Sequence, residues 1–95
     1  MARIEWAPEV FDDFERFLRH MAEFGIADRT ERIGEIIEAI QILAHSPAIG
    51  RPVKAELREL IIGRASRGSI ALFRFVPDID TVFILAIRTQ REAGG

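Results

Sequence analysis

The sequence of 95 residues contains no cysteine and no tyrosine, and it has only two histidines and one tryptophan. Without cysteine, the chain can form neither a disulfide bond nor a thiolate metal site. We therefore expect a reducing, cytoplasmic location. The N-terminus lacks the basic and then apolar pattern of a secretion signal. No apolar run approaches the roughly 20 residues of a membrane-spanning helix, so no membrane association is expected.

The motifs of common catalytic and cofactor sites are also missing. His20 and His45 fall in different predicted helices and have no cluster of carboxylates around them, so no metal site is expected. The serines at 46, 66 and 69 have no candidate base nearby in the sequence, and there is no glycine-rich nucleotide loop. We expect no cofactor and assign no catalytic residue. Four carboxylates of the first predicted helix are expected to form a solvated face: Glu9, Asp12, Asp13 and Glu15.

What the chain does contain is the composition of a folded protein, 48% hydrophobic and 29% charged. Its length predicts one domain over residues 1–95. The net charge of −2 hides an asymmetry, because residues 1–50 carry a balance of −5 and residues 51–95 a balance of +3. Twelve of the thirteen basic residues are arginine, whose planar guanidinium suits two-point contacts to phosphate or carboxylate. An ordinary solvated surface is the alternative interpretation.

The hydrophobic pattern predicts the order β-α-α-β-β-β. Residues 2–6 alternate as in a strand, and apolar residues then recur every three or four positions from about Pro8 to Glu23. A second helix, capped by Asp28 or Thr30, should end near His45. Residues 57–62, 69–76 and 81–88 are predicted to form three antiparallel strands separated by short turns. The expected fold is α+β, with a helical hairpin packed on one face of an antiparallel sheet.

Two arginines interrupt apolar strand faces. Arg74 alternates with Ile70, Leu72 and Val76, and Arg88 follows Val82, Ile84 and Ala86 at even spacing. We expect them to form a basic patch on the open side of the sheet, suited to phosphate or to a carboxylate-rich partner. The alternative is that each is a charge at a strand end that reaches into solvent. The predicted patch also includes five further basic residues: Lys54, Arg58, Arg64, Arg67 and Arg91.

Four segments together resemble the RelE/ParE superfamily of type II toxin–antitoxin modules. They are residues 46–52 (SPAIGRP), 57–63 (LRELIIG), 70–75 (IALFRF) and 84–94 (ILAIRTQREAG). The order and lengths of the predicted elements fit the superfamily over nearly the whole chain. The resemblance implies a toxin held inactive by a cognate antitoxin, either ParD-like or another DNA-binding antitoxin. Operator DNA would be contacted only through that antitoxin.

The resemblance leaves three functions open. ParE-like members inhibit DNA gyrase, whereas RelE-like members cleave mRNA on the ribosome and often carry a C-terminal tyrosine or histidine for proton transfer. Here tyrosine is absent, Thr89 stands where many relatives have histidine, and residues 86–94 look like the ParE branch. The resemblance thus favours a gyrase inhibitor over a ribosome-dependent mRNA interferase. A degenerate, non-toxic binding partner is the third possibility.

Site residues follow from the resemblance and the arginine pattern together. Arg74, Arg88 and Arg91 are predicted to contact the target or to be essential, with Arg58 and Lys54 in second place. An apolar groove beside the helices is predicted to receive an amphipathic antitoxin helix. Its candidate residues are Phe11, Phe14 and Ile37, for which membership of the ordinary core is the alternative.

Overall fold

The computed structural model describes residues 1–20, 26–63 and 68–89. Two helices, α1 (Pro8–His20) and α2 (Ile26–Ile42), follow the first strand, β1 (Arg3–Trp6). Four more strands come after them: β2 (Arg51–Pro52), β3 (Arg58–Ile62), β4 (Ser69–Val76) and β5 (Thr81–Thr89). The sheet has the order β1-β5-β4-β3-β2. Neither described helix is long and apolar enough to cross a bilayer.

The predicted α+β class, the helical pair and the late antiparallel strands are confirmed. The sheet is mixed, however, because β1 runs parallel to β5, with Arg3 beside Thr81 and Trp6 beside Ile84. The alternation of side chains along a strand carries no information about the direction of its neighbour, so the sequence did not reveal this. It also did not reveal β2, whose two residues include Pro52 and pair with the start of β3 at the edge of the sheet.

The first helix begins at Pro8 as predicted, whereas the second helix differs from its predicted boundaries at both ends. The last described residue of α1 is His20, and the predicted end at Glu23 lies outside the described residues. The second helix begins at Ile26, before both predicted capping residues, and ends at Ile42. The residues after α2 form tighter turns of the 3₁₀ type, since the amides of Leu43, Ala44 and His45 donate hydrogen bonds to carbonyls three residues back. The apolar stripe therefore continues beyond the helix itself.

The core lies between the helices and one face of the sheet. Phe73 and Ile84 are paired across β4 and β5, and both are fully buried. Val10 of α1 and Ile36 and Ile40 of α2 belong to the same buried cluster. Burial of large side chains of this kind contributes about 1.5–3 kcal/mol each, so this layer fixes which face of the sheet the helices cover.

A β-bulge in the β4–β5 ladder changes which side chains at the end of β5 point toward the helices. Leu72 pairs with Ala86 while Phe73 pairs with Ile84, so Leu85 is an extra residue. Before the bulge the even-numbered Val82 and Ile84 face the helices; after it, Ile87 does. The predicted grouping of Arg88 with Val82 and Ile84 is therefore wrong. Both neighbours of the extra residue are apolar, so the alternation did not show the shift.

Gly50 allows a close approach between the loop before β2 and the core. A Cβ atom at this position would lie 2.6 Å from Cε1 and Cζ of Phe73 and 2.9 Å from the carbonyl oxygen of Glu59. The ring is fully buried and the carbonyl belongs to a strand, so neither neighbour can move aside easily. Glycine at this position is thus a packing requirement.

We predict that Gly50→Ala lowers the free energy of unfolding by about 1–3 kcal/mol, because it overpacks the core. Gly34→Ala is the matched control, since no heavy atom lies within 4 Å of its added Cβ. It should raise the free energy of unfolding by about 0.5–1 kcal/mol, because alanine is favoured inside a helix. Urea denaturation of both variants checks the pair, and equal effects would contradict the packing argument.

Candidate functional site on the open face of the sheet

The open face is the side of the sheet opposite the helices. Its residues follow from the register, because directly opposite residues on neighbouring strands share a face. It carries apolar side chains along β3, β4 and β5, among them Ile61, of which 50% is exposed. Its charged residues are Arg3, Glu5, Arg51, Glu59, Arg74 and Arg88. The face thus combines an apolar centre with arginines.

Three of these arginines have carboxylate partners. Arg3 Nε lies 3.7 Å from Glu5 Oε1, and Arg51 Nη2 lies 2.7 Å from Glu59 Oε1. Arg74, which is exposed, reaches Glu56 Oε2 in the β2–β3 turn at 3.4 Å. Pairs this exposed contribute about 0–1 kcal/mol of stability. They nevertheless reduce the positive potential that each arginine offers to an incoming anion.

Arg88 differs from them, since no carboxylate of the described residues pairs with it. It is exposed on β5 and lies directly opposite Ile70, which lies opposite Ile61 on β3. This row therefore places a guanidinium on the same face as two apolar side chains, Ile70 on the neighbouring strand and Ile61 on the strand beyond it. An arginine with apolar neighbours is typical of residues that anchor a protein interface.

Arg74 and Arg88 do not form one continuous patch. Arg74 lies opposite Phe83, and Arg88 follows Phe83 five residues further along β5. At a rise of about 3.3 Å per residue, their backbone positions are roughly 15 Å apart once the bulge is allowed for. Both are on the open face, as predicted, but the guanidinium of Arg74 turns to Glu56. The expected single basic patch is thus wrong, and the roles of the two residues remain predictions.

Arg58 is not on the open face. It lies opposite Phe73, on the side of the helices, and is half-buried. Its Nη1 donates to the carbonyl oxygen of Gly50 at 2.8 Å and to that of Ala48 at 3.3 Å. The guanidinium therefore holds the loop before β2 in place. Its expected place in the patch is wrong, because the strand register turns it to the other face.

Lys54 lies in the exposed turn between β2 and β3, which is closed by a bond from the Leu57 amide to the Lys54 carbonyl. Ala55 and Glu56 in this turn have φ values of 55° and 65°, a left-handed conformation that is unfavourable for residues with a Cβ. The turn therefore holds Glu56 beside Arg74 at a conformational cost.

The three predicted antitoxin-binding residues differ in exposure. Phe11 on α1 is 64% exposed and Ile37 on α2 is 39% exposed, so both are accessible to a partner. Phe14 is half-buried and packs on Trp6, with ring centroids 6.0 Å apart. It belongs largely to the margin of the core, which was the alternative. Leu18 on α1 and Ile42 on α2 are further exposed apolar residues of the helices.

Asp13 has a role that the sequence did not reveal. Its Oδ2 accepts a hydrogen bond of 3.0 Å from the backbone amide of Ile87, and only 15% of its side chain is exposed. The expected solvated position is therefore wrong for this carboxylate. No local signal could have found the contact, because the partner lies 74 residues away.

Several predicted site residues lie outside the part of the chain that the structure describes. Arg64, Arg67 and Arg91 lie outside the described residues, and for Thr89 only the backbone is described. Within the described ranges, no group of three or more aspartate, glutamate or histidine side chains is arranged to hold a metal ion.

Comparison with solved structures identifies the class of fold. The chain is similar to a chain of the chromosomal ParDE toxin–antitoxin system from P. aeruginosa, with 22% identity, a TM-score of 0.76, and 94% of this chain and 96% of that chain covered. A chain of the intact E. coli RelBE toxin–antitoxin complex is 11% identical, with a TM-score of 0.60, and the match covers 94% of this chain and 96% of that chain. The isolated E. coli RelE toxin is 12% identical, with a TM-score of 0.56, and the match covers 99% of this chain and 96% of that chain. The fold is that of the RelE/ParE-like toxins.

The family is shown by a sequence model. The model of the ParE toxin of the type II toxin–antitoxin system parDE matches residues 4–94. The chain therefore belongs to the ParE family of type II toxins, and the predicted resemblance is confirmed. The comparison with curated proteins gives no match.

We predict that Arg58→Ala lowers the free energy of unfolding by about 1.5–3 kcal/mol, because it removes charge-assisted hydrogen bonds to backbone carbonyls. Arg74→Ala, which also removes one guanidinium, should change it by less than about 1 kcal/mol. Urea denaturation of the two variants makes the comparison. A larger loss for Arg74→Ala would contradict the structural role assigned to Arg58.

We also predict that Glu56→Gly stabilises the fold by about 1 kcal/mol, because glycine adopts positive φ without steric cost. Glu56→Ala is its control, since alanine removes the ion pair with Arg74 but keeps the unfavourable backbone. Thermal unfolding of both variants tests the turn. A higher unfolding midpoint for Glu56→Ala than for Glu56→Gly would show that the turn is not strained.

Proposed function

We propose that this toxin acts in the cytoplasm by binding and inhibiting DNA gyrase, and that a ParD-like antitoxin neutralises it. The observation that carries the proposal is the setting of Arg88. It has no carboxylate partner among the described residues, it lies opposite the half-buried Ile70, and the exposed Ile61 lies in the same row on the strand beyond. This arrangement suits an anchor in a protein interface. The match to the ParE family supports the same target.

The same geometry argues against cleavage of mRNA. Breaking a phosphodiester bond needs groups that transfer protons and cations that converge on one phosphate. The chain has no tyrosine, and both histidines belong to the helical layer, His20 in α1 and His45 in the turn after α2. The guanidinium of Arg74 is paired with Glu56, and the backbone positions of Arg74 and Arg88 are roughly 15 Å apart, so the two side chains are not preorganised around one phosphate. Binding without covalent chemistry therefore agrees better with this surface.

The target contact of Arg88 would be a carboxylate or a phosphate. A guanidinium can donate two parallel hydrogen bonds to either group. Ile70, directly opposite Arg88 on β4, would help to exclude water from the contact, which strengthens the interaction of the charges. Arg74 would contribute only after its pair with Glu56 is broken, so we place it second. Arg91 and Lys54 remain predicted contact residues.

The helical layer offers a separate surface for the antitoxin. Phe11 and Leu18 on α1 and Ile37 and Ile42 on α2 are exposed apolar residues. Such side chains suit the apolar face of an amphipathic helix laid along a groove. The complexes named ParDE and RelBE among the similar structures support an antitoxin partner. Contact with operator DNA would be made by that antitoxin.

We predict that Arg88→Ala weakens inhibition of gyrase supercoiling at least about tenfold, the effect of removing an interface anchor. Arg3→Ala is the matched control, because it removes an exposed guanidinium from the same face. Its effect should stay within about twofold, as expected for a contact at the rim of an interface. Titration of purified gyrase with each variant gives the comparison.

Induction without antitoxin tests the choice of target in cells. A DNA-damage response that precedes any loss of translation is expected. Cleavage of ribosome-bound mRNA that is lost on Arg74→Ala would overturn the proposal in favour of an mRNA interferase. Unaffected growth with folded protein present would indicate a non-toxic binding partner.

A further inference from the structure

Among the residues that the structure describes, the final part of β5 has a neighbouring strand on only one side. The pairing of β1 with β5 ends at Trp6 and Ile84, and the last bond across that edge runs from the Ala7 amide to the Ile84 carbonyl. β5 continues to Thr89, and over this stretch β4 is its neighbour. Backbone groups that face the missing neighbour need another partner or contact with water.

Asp13 supplies that partner from the helical layer. Its Oδ2 accepts the hydrogen bond from the Ile87 amide at 3.0 Å, three residues beyond the last residue paired with β1. Its Oδ1 lies 3.3 Å from Arg16 Nη2, one turn further along α1. The carboxylate is thus held by its own helix while it binds the strand. A hydrogen bond to a charged acceptor is stronger than a neutral one.

The position of this bond matters because of the bulge at Leu85. A bulge leaves a residue unpaired and weakens the ladder locally. Ile87, 1% exposed, is the next residue that faces the core, and Arg88 follows it on the open face. The amide that Asp13 binds therefore belongs to the residue directly before the proposed target contact. The bond fixes the strand on which that guanidinium is presented.

We propose that Asp13 is a positioning residue for Arg88: it takes over from β1 at the edge of β5 and holds the strand after the bulge in the orientation that presents the guanidinium. The functional part of this inference rests on the proposed function. The structural part, the anchoring of Ile87 by Asp13, can be tested without any target.

The first test is hydrogen exchange of the Ile87 amide. Asp13→Ala should speed this exchange roughly 10- to 100-fold, the effect of losing a hydrogen bond to a charged acceptor, while the amides of Val82 and Phe83 keep their rates. Asp13→Asn retains an acceptor oxygen and should restore slow exchange. Asp12→Ala removes a neighbouring exposed carboxylate and should change nothing. If Asp13→Ala does not fold, Asp13→Ser, whose side chain is too short for the bond, replaces it.

An unchanged Ile87 amide in a folded Asp13→Ala or Asp13→Ser variant overturns the inference. So does equally faster exchange at Val82 and Phe83, because the carboxylate would then stabilise the whole fold and not this segment. Both outcomes are independent of gyrase.

The second test is a double-mutant cycle on the affinity for gyrase. Asp13→Ala should weaken binding about tenfold in the otherwise unchanged toxin and have little further effect in the Arg88→Ala variant, as for two residues that act through one contact. Independent effects of the two substitutions would overturn the positioning role. If the unchanged toxin does not bind gyrase, the proposed function fails, while the exchange measurement still decides whether Asp13 anchors the strand.

Discussion

The packing of the helices on Phe73 and Ile84 decides which side of the sheet remains open. These two side chains lie opposite each other on the central strands and are fully buried beneath α1 and α2. Since side chains alternate along a strand, their burial turns Arg74 and Phe83 to the other face. Gly50 allows the loop before β2 to close over the same ring, and Arg58 ties that loop down through two carbonyls. The packing of the core therefore also places Arg58 on the side of the helices, where it stabilises the fold, and Arg74 on the open face.

The arginines of the open face differ in whether a carboxylate is paired with them. Arg3, Arg51 and Arg74 each have a carboxylate beside them, whereas Arg88 stands in a row with apolar side chains. An anion approaching Arg88 meets a guanidinium whose donors are not already satisfied by a carboxylate of the described residues. The helical layer presents a different, apolar surface around Phe11 and Ile37. The surfaces proposed for the target and for the antitoxin therefore lie on opposite sides of the toxin.

The sequence predicted the elements well where periodicity was strong and failed where a single residue changed the phase. The stripe containing Ile36 and Ile40 was correctly predicted as the buried side of α2. One extra residue, Leu85, reversed the faces after it, and apolar residues on both sides concealed the shift. The parallel pairing of β1 and the bond from Ile87 to Asp13 depend on contacts between distant parts of the chain. Such contacts leave no local pattern, so they became visible only in the fold.

The outermost strands of the sheet have a consequence for the toxin before it meets a partner. β1 has four residues and β2 has two, and each contributes an arginine to an ion pair with glutamate. Pro52 in β2 also lacks an amide hydrogen. Along β1 and β2, such short and charged margins give a second copy little backbone on which to stack, which discourages the growth of intermolecular sheets from these two strands.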